Sequence, residues 1–102
     1  MKVFISQKTN GRTPEEVSSE RELVVDKIRK DYGESTIILN VFNKASPPNI
    51  KMNIPVWYLS ESIKILSDAD MIYFVNGSLS ERGVLILKEI ARIYGIMVVV
   101  EE

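Results

Sequence analysis

Two short polar stretches carry the residue types that could do chemistry. Ser6-Gln7-Lys8-Thr9-Asn10-Gly11-Arg12 follows an apolar run at the start of the chain. Asn76-Gly77-Ser78-Leu79-Ser80-Glu81-Arg82 follows a second run, Met71–Val75. Each joins a strand-like run to a helix start, where free backbone N–H groups and the positive end of the helix dipole favour an anion. Lys8, Arg12 and Arg82 add positive charge. Glu15, Glu16 and Glu81 oppose it, because they complement the same helix ends and repel a phosphate. Anion binding and plain helix capping by Thr13, Ser78 and Glu81 are therefore competing readings. Gly11 and Gly77 each follow an Asn, a pairing that favours the left-handed backbone of a tight turn. Trp57 and Tyr58 offer rings for stacking on a base or for packing in the core.

What is missing narrows the chemistry further. The 102 residues contain no Cys and no His. That removes thiol nucleophiles, disulfides, Ser-His-Asp catalysis and the commonest zinc sites, and leaves acid–base work to Asp, Glu, Lys or Tyr. No metal site and no cofactor fingerprint of the GxGxxG or Walker type is present. Thirteen basic residues against 14 acidic ones give a net charge of −1, with no electrostatic case for nucleic acid or an anionic membrane. No secretory signal precedes the first strand, and no apolar run approaches about 18 residues. The expectation is a soluble cytoplasmic protein. A chain of this length can bury roughly 65% of its unfolded surface, so residues 1–102 suffice for one domain with one core.

The elements that must position these loops read in order along the chain. Lys2–Ser6 is the first strand. Thr13-Pro14-Glu15-Glu16 is a helix start with Thr as cap, Pro at the first helical position and Glu at the third. That helix is expected to reach Tyr32 and stop at Gly33, with Val17, Val24 and Ile28 as its inner stripe and Leu23 beside them. Ser35–Phe42 reads as the second strand and Asn43–Asn53 as the longest irregular stretch. Pro55 opens a second helix with Val56, Leu59, Ile63 and Leu66 on one face. The third strand leads into a helix expected from Ser78 to Tyr94, with Ser78 and Glu81 spaced as a capping box. Ile96–Val100 is the last strand. A β-α-β-α-β-α-β order with helix-length crossovers demands a parallel sheet with right-handed connections. The expected fold is a three-layer α/β/α sandwich on a four-stranded sheet of order 2-1-3-4. Winding reverses between strands one and three, and ligands bind at such switch points outside the carboxyl ends of the strands. Ser6, Gln7, Lys8, Asn10, Gly11, Asn76, Gly77, Ser78 and Glu81 are the expected ligand-binding residues. Val84–Leu87 is apolar around a whole helical turn, and Ile90, Ala91, Ile93 and Tyr94 extend the pattern. One face packs on the sheet, so the other is expected to bury against a second copy.

Several of these segments resemble a known superfamily when taken in order. MKVFISQ with Asn10-Gly11, TPEEVSSERE at 13–22 and PVWYLSESIKILSDAD at 55–70 resemble the nucleoside 2-deoxyribosyltransferase-like superfamily. So do Tyr73-Phe74, Gly77, Arg82-Gly83, Glu89-Ile90-Ala91 and Tyr94-Gly95-Ile96. The likeness is strongest to a group of small phage and bacterial proteins. It implies a flavodoxin-like or Rossmann-like fold, homo-oligomers and a nucleoside or nucleotide at the carboxyl edge. Active members cleave an N-glycosidic bond with a Glu on the third helix, because an oxocarbenium-like transition state is captured by a carboxylate. Counting four residues on from Gly83, or eight back from Gly95, places that nucleophile at Leu87. The Tyr that steadies it corresponds to Phe4, and the aromatic after the loop glycine to Ser78. Glu89 lies about 200° around the helix from Leu87, which leaves Glu81 as the carboxylate able to face the crevice. Three readings follow. The first is a nucleoside- or nucleotide-binding protein without the glutamate nucleophile. The second is an active N-glycosidase or transferase using Glu81 or a carboxylate from a second subunit. The third is an interaction module working through its third helix.

Overall fold

The computed structural model describes residues 1–40 and 51–101. Strands β1 (Lys2–Ser6), β2 (Ile37–Ile38), β3 (Met71–Phe74) and β4 (Met97–Val100) form one parallel sheet of order β2-β1-β3-β4. Helices α1 (Pro14–Tyr32), α2 (Ile54–Leu66) and α3 (Arg82–Ile93) make the crossovers. The expected three-layer α/β/α architecture is present.

The two central strands are buried on both sides, and their alternation builds two cores. Val3, Ile5, Met71, Tyr73 and Val75 pack with Val24 and Ile28 of α1. Phe4, Ile72 and Phe74 pack on the opposite face with Leu66 of α2 and Val84, Leu87 and Ala91 of α3. Val24 and Ile28 lie in the expected inner stripe of α1, and Val17 is half-buried. Leu23 departs from it at 72% exposure, while Val25 packs against the core instead. The stripe is therefore turned toward Val25, which lies about 100° around the helix from Val24 on the side away from Leu23.

Local chemistry sets the helix ends. Thr13 and Glu16 form the full capping box: the Glu16 N–H donates to Thr13 Oγ1 (3.1 Å) and the Thr13 N–H to Glu16 Oε1 (3.2 Å). Gly33, at φ 112°, ends α1. Asn53 caps α2 by accepting from the Val56 N–H at 3.1 Å.

Two boundaries differ from the sequence reading. Within the described residues β2 spans only Ile37–Ile38, and Leu39 adds one bond to the Val3 carbonyl (2.9 Å). Val41, Phe42 and most of the Asn43–Asn53 stretch lie outside the described residues. The third helix also starts later than Ser78. Ser78–Ser80 form a single 3-10 turn, Glu81 is extended at φ −91° and ψ 136°, and α3 begins at Arg82. The Ser78–Glu81 capping box therefore does not form, because the extended residue breaks the helical register that the box requires.

Candidate functional site

Every helix of a parallel α/β sheet begins at the carboxyl edge, and α2 and α3 lie on the same face. Their N-termini meet there, opposite the β1–α1 loop. Between them opens a cleft of about 870 Å³, lined by Lys8 and Asn10 from that loop and by Asn53, Pro55, Val56 and Leu59 of α2. Ser80, Glu81, Arg82, Gly83 and Ile86 close it from the α3 side. Its size falls in the range of small-molecule sites. A Cβ built on Gly83 would meet Leu59 Cδ1 at 3.9 Å, so α2 and α3 approach closely at the cleft wall.

The cleft mixes charge in a specific way. Lys8 and Arg82 enter no salt bridge among the described residues. The first turns of α2 and α3 contain no acid. Among the described residues that line the cleft, two cations and two helix N-termini therefore stand against one acid, Glu81. The Glu81 side chain makes no capping hydrogen bond to α3, and its buried Oε1 has no hydrogen-bond partner among the described residues. Ser78 Oγ is likewise buried and unpartnered, in a residue with 0% exposure.

Of the nine expected ligand-binding residues, Lys8, Asn10 and Glu81 line the cleft. Six do not. The Ser6 side chain is buried in β1, and its carbonyl accepts from the Val75 N–H at 2.9 Å. Gln7 Nε2 is spent on the Val17 carbonyl (2.9 Å) and Glu20 Oε1 (3.0 Å), tying the loop to α1. Gly11 and Gly77 hold positive φ, 75° and 88°, and serve the turns. Asn76 is exposed, and its backbone N–H donates to Glu101 Oε1 at 3.3 Å. Ser78 is sealed behind the loop. Arg12, read as a source of positive charge, is engaged by Glu20 Oε1 and the Lys8 carbonyl, both at 2.9 Å. The Arg12 guanidinium, and behind it Gln7, hold the Glu20 carboxyl below its ordinary pKa.

Leu87 is 4% exposed and packs with Phe4, Ile72 and Phe74 in the core. A side chain at that position points into the sheet and not toward the cleft. The rings of Trp57 and Tyr58 pack edge to face, with centroids 5.0 Å apart, and neither lines the cleft.

The α2 contribution went unread in the sequence. The signal was available. Asn53 followed two residues later by Pro55 marks a helix start. In a 2-1-3-4 sheet that start must reach the same edge as the start of α3.

No group of three or more metal-ligating side chains occurs among the described residues, and no helix there is long and apolar enough to cross a membrane. No family model, curated protein or solved structure matches the chain. The fold and the cleft define a four-stranded parallel α/β protein with a switch-point pocket.

Proposed function

We propose that the chain binds a nucleoside or nucleotide in the switch-point cleft, as a cytoplasmic relative of the nucleoside 2-deoxyribosyltransferases that does not use a nucleophile at position 87. The observation that carries this reading is the pairing of Lys8 and Arg82, which enter no salt bridge among the described residues, with the N-termini of α2 and α3 around one cleft, whose one acid among the described lining residues is Glu81 at the α3 N-cap. A phosphate or sugar hydroxyl finds donors there. The apolar wall of Val56, Leu59 and Ile86 gives a base or sugar ring a surface to lie on. The test is a thermal-shift screen of nucleosides and nucleoside monophosphates, with chromatography for released base in the same samples. Ligand at about 100 times its Kd adds roughly 2.7 kcal/mol to stability. A shift without base release is the expected result, and no shift across the panel defeats the reading.

A second reading has its own observation, that Glu81 lines the cleft and its buried Oε1 has no hydrogen-bond partner among the described residues. In that reading Glu81 attacks the anomeric carbon. The glycosidic C–N bond breaks as the ester forms, and the base leaves with the bonding pair and takes a proton from water. A second water then hydrolyses the ester. Base release that vanishes in Glu81→Gln and survives in Leu87→Ala would select it. A homo-oligomer through α3 is compatible with either reading, since Leu85, Ile93 and Tyr94 are exposed and do not line the cleft.

A further inference from the structure

The sheet's two edges differ in kind. β2 is two residues long, and the Arg21 side chain donates to the Leu39 carbonyl just beyond it (3.0 Å). β4 is four residues of Met-Val-Val-Val, with no charge, no Pro and no Gly, and no strand pairs with its outer side among the described residues. Proteins normally guard such an edge with a charge, a bulge or a proline. Here Met97 and Val100 are 43% and 40% exposed, and the exposed Ile93 and Tyr94 lead directly into the strand.

The hydrogen-bond register says which groups are on offer. The Met97 N–H donates to the Asp70 carbonyl (3.1 Å) and the Glu101 N–H to the Phe74 carbonyl (2.9 Å), so odd-numbered residues turn their backbone toward β3. By the two-residue period of a strand, Val98 and Val100 turn their N–H and C=O groups outward. We infer that β4 is a homodimerisation edge, pairing antiparallel with β4 of a second copy about a two-fold axis at Val99.

That register is self-complementary. Val98 of one protomer lies opposite Val100 of its partner, and each such pair exchanges two N–H···O=C bonds, so the two pairs satisfy all the outward groups of both residues. The two copies of Val99 face each other in the non-hydrogen-bonded position, where side chains come closest. β-Branched cross-strand pairs stabilise such a contact. The product is a closed, isologous dimer with one eight-stranded sheet. Both clefts stay open, because they lie at the switch between β1 and β3 and are lined from the starts of α2 and α3. The inference therefore does not rest on the ligand.

The test is light scattering of the purified full chain over a concentration series, with amide exchange followed by NMR. The expected result is a concentration-dependent dimer in which the Val98 and Val100 N–H groups exchange slowly when concentrated and fast when dilute. Val100→Pro removes an outward donor, and an edge strand tolerates Pro at that kind of position. It should raise the dimer dissociation constant about 30-fold or more, since two of the four bonds are lost. Circular dichroism checks that the variant is folded. The exchange measurement on the unaltered chain stands even if the variant is not. A chain that stays monomeric at all concentrations overturns the inference. So does a dimer whose Val98 and Val100 amides remain unprotected, or one that survives Val100→Pro and dissolves on Leu85→Lys.

Discussion

Glu81 and Leu87, six residues apart in the chain, end in opposite environments. Glu81 lines the cleft just before α3 begins, while Leu87 sits one and a half turns into the helix with its side chain in the core. A carboxylate installed at position 87 would replace packing against Phe4, Ile72 and Phe74 with a buried charge. Leu87→Ala is expected to cost about 3 kcal/mol, through lost burial and the cavity left behind. Leu87→Glu should cost more, because its carboxylate has no partner there and must stay protonated or unfold the domain. Urea denaturation measures both. A Leu87→Glu variant that folds normally and releases base from nucleosides would contradict the placement.

Lys8 and Arg82 approach the cleft from different loops, and neither is held by a carboxylate among the described residues. If they receive a phosphate, Lys8→Ala and Arg82→Ala should each weaken nucleoside monophosphate binding roughly tenfold. Binding of the matching nucleoside should change little. Titration calorimetry at two salt concentrations distinguishes the cases, since the phosphate contribution must shrink as salt rises. Equal losses for nucleoside and nucleotide would mean that the two cations shape the cleft without contacting phosphate.

Glu20 is the anchor of the β1–α1 loop. Its Oε1 accepts from Arg12 and from Gln7, and the flanking backbone carries Lys8 and Asn10 to the cleft. The Arg12 guanidinium depresses its pKa in the folded state. A depressed carboxyl contributes stability above its unfolded pKa, near 4.3, and loses it as pH falls through the folded value. Glu20→Gln should remove about 1 kcal/mol at pH 7 and flatten the acid limb of the stability curve below about pH 4.5. Thermal unfolding across pH 2–7, against the unaltered chain, is the measurement. An unchanged acid limb would show that Glu20 is paired equally well in the unfolded chain.

How much of this was readable before any coordinates depended on how local each cause was. Thr13, Pro14 and Glu16 specify the start of α1 by chemistry confined to four residues, and that start was legible. The sheet order followed from strand runs separated by helix-length crossovers, which leave few alternatives. Ser78 and Glu81 have the same spacing as Thr13 and Glu16, yet no box forms. The positive φ of Gly77, at 88°, and the extended Glu81 route the chain through a 3-10 turn first. The composition of the segment does not reveal that turn. The cleft lies on the expected edge, but four of its eleven lining residues come from the start of α2, whose arrival there is a consequence of topology. Gln7 and Arg12 looked available because their partner, Glu20, lies a turn or two into α1. Polar side chains near a loop are often consumed in holding the loop.

Ser78 has 0% exposure and an Oγ with no partner among the described residues, an arrangement that costs free energy on burial. Ser78→Ala removes the unsatisfied hydroxyl at little change in volume. The expected outcome is stability equal to or up to about 1–2 kcal/mol above the unaltered chain. Chemical denaturation decides it. A loss of more than about 1 kcal/mol would show that the hydroxyl is satisfied in solution, by an internal water for instance.

Tyr73 closes the other side of the carboxyl edge. Its hydroxyl donates to Glu101 Oε2 at 2.8 Å, and Glu101 also takes the Asn76 N–H and lies 3.6 Å from Lys27 Nζ. This contact ties the residue after β4 to the loop after β3. Burial first, and the bond to Glu101 second, push the Tyr73 pKa above its ordinary value near 10. A raised pKa in the folded state contributes stability that is fully present below the unfolded value and is lost as pH climbs through the folded one. Stability should therefore fall above about pH 10 as the phenolate forms beside a carboxylate. Tyr73→Phe should cost about 1 kcal/mol at pH 7 by removing the hydroxyl from Glu101. The same variant should lose part of the alkaline decline. Absorbance at the phenolate band, followed alongside unfolding, identifies which tyrosine titrates late. If all four tyrosines of the chain ionise together near their ordinary value, the contact with Glu101 is not maintained in solution.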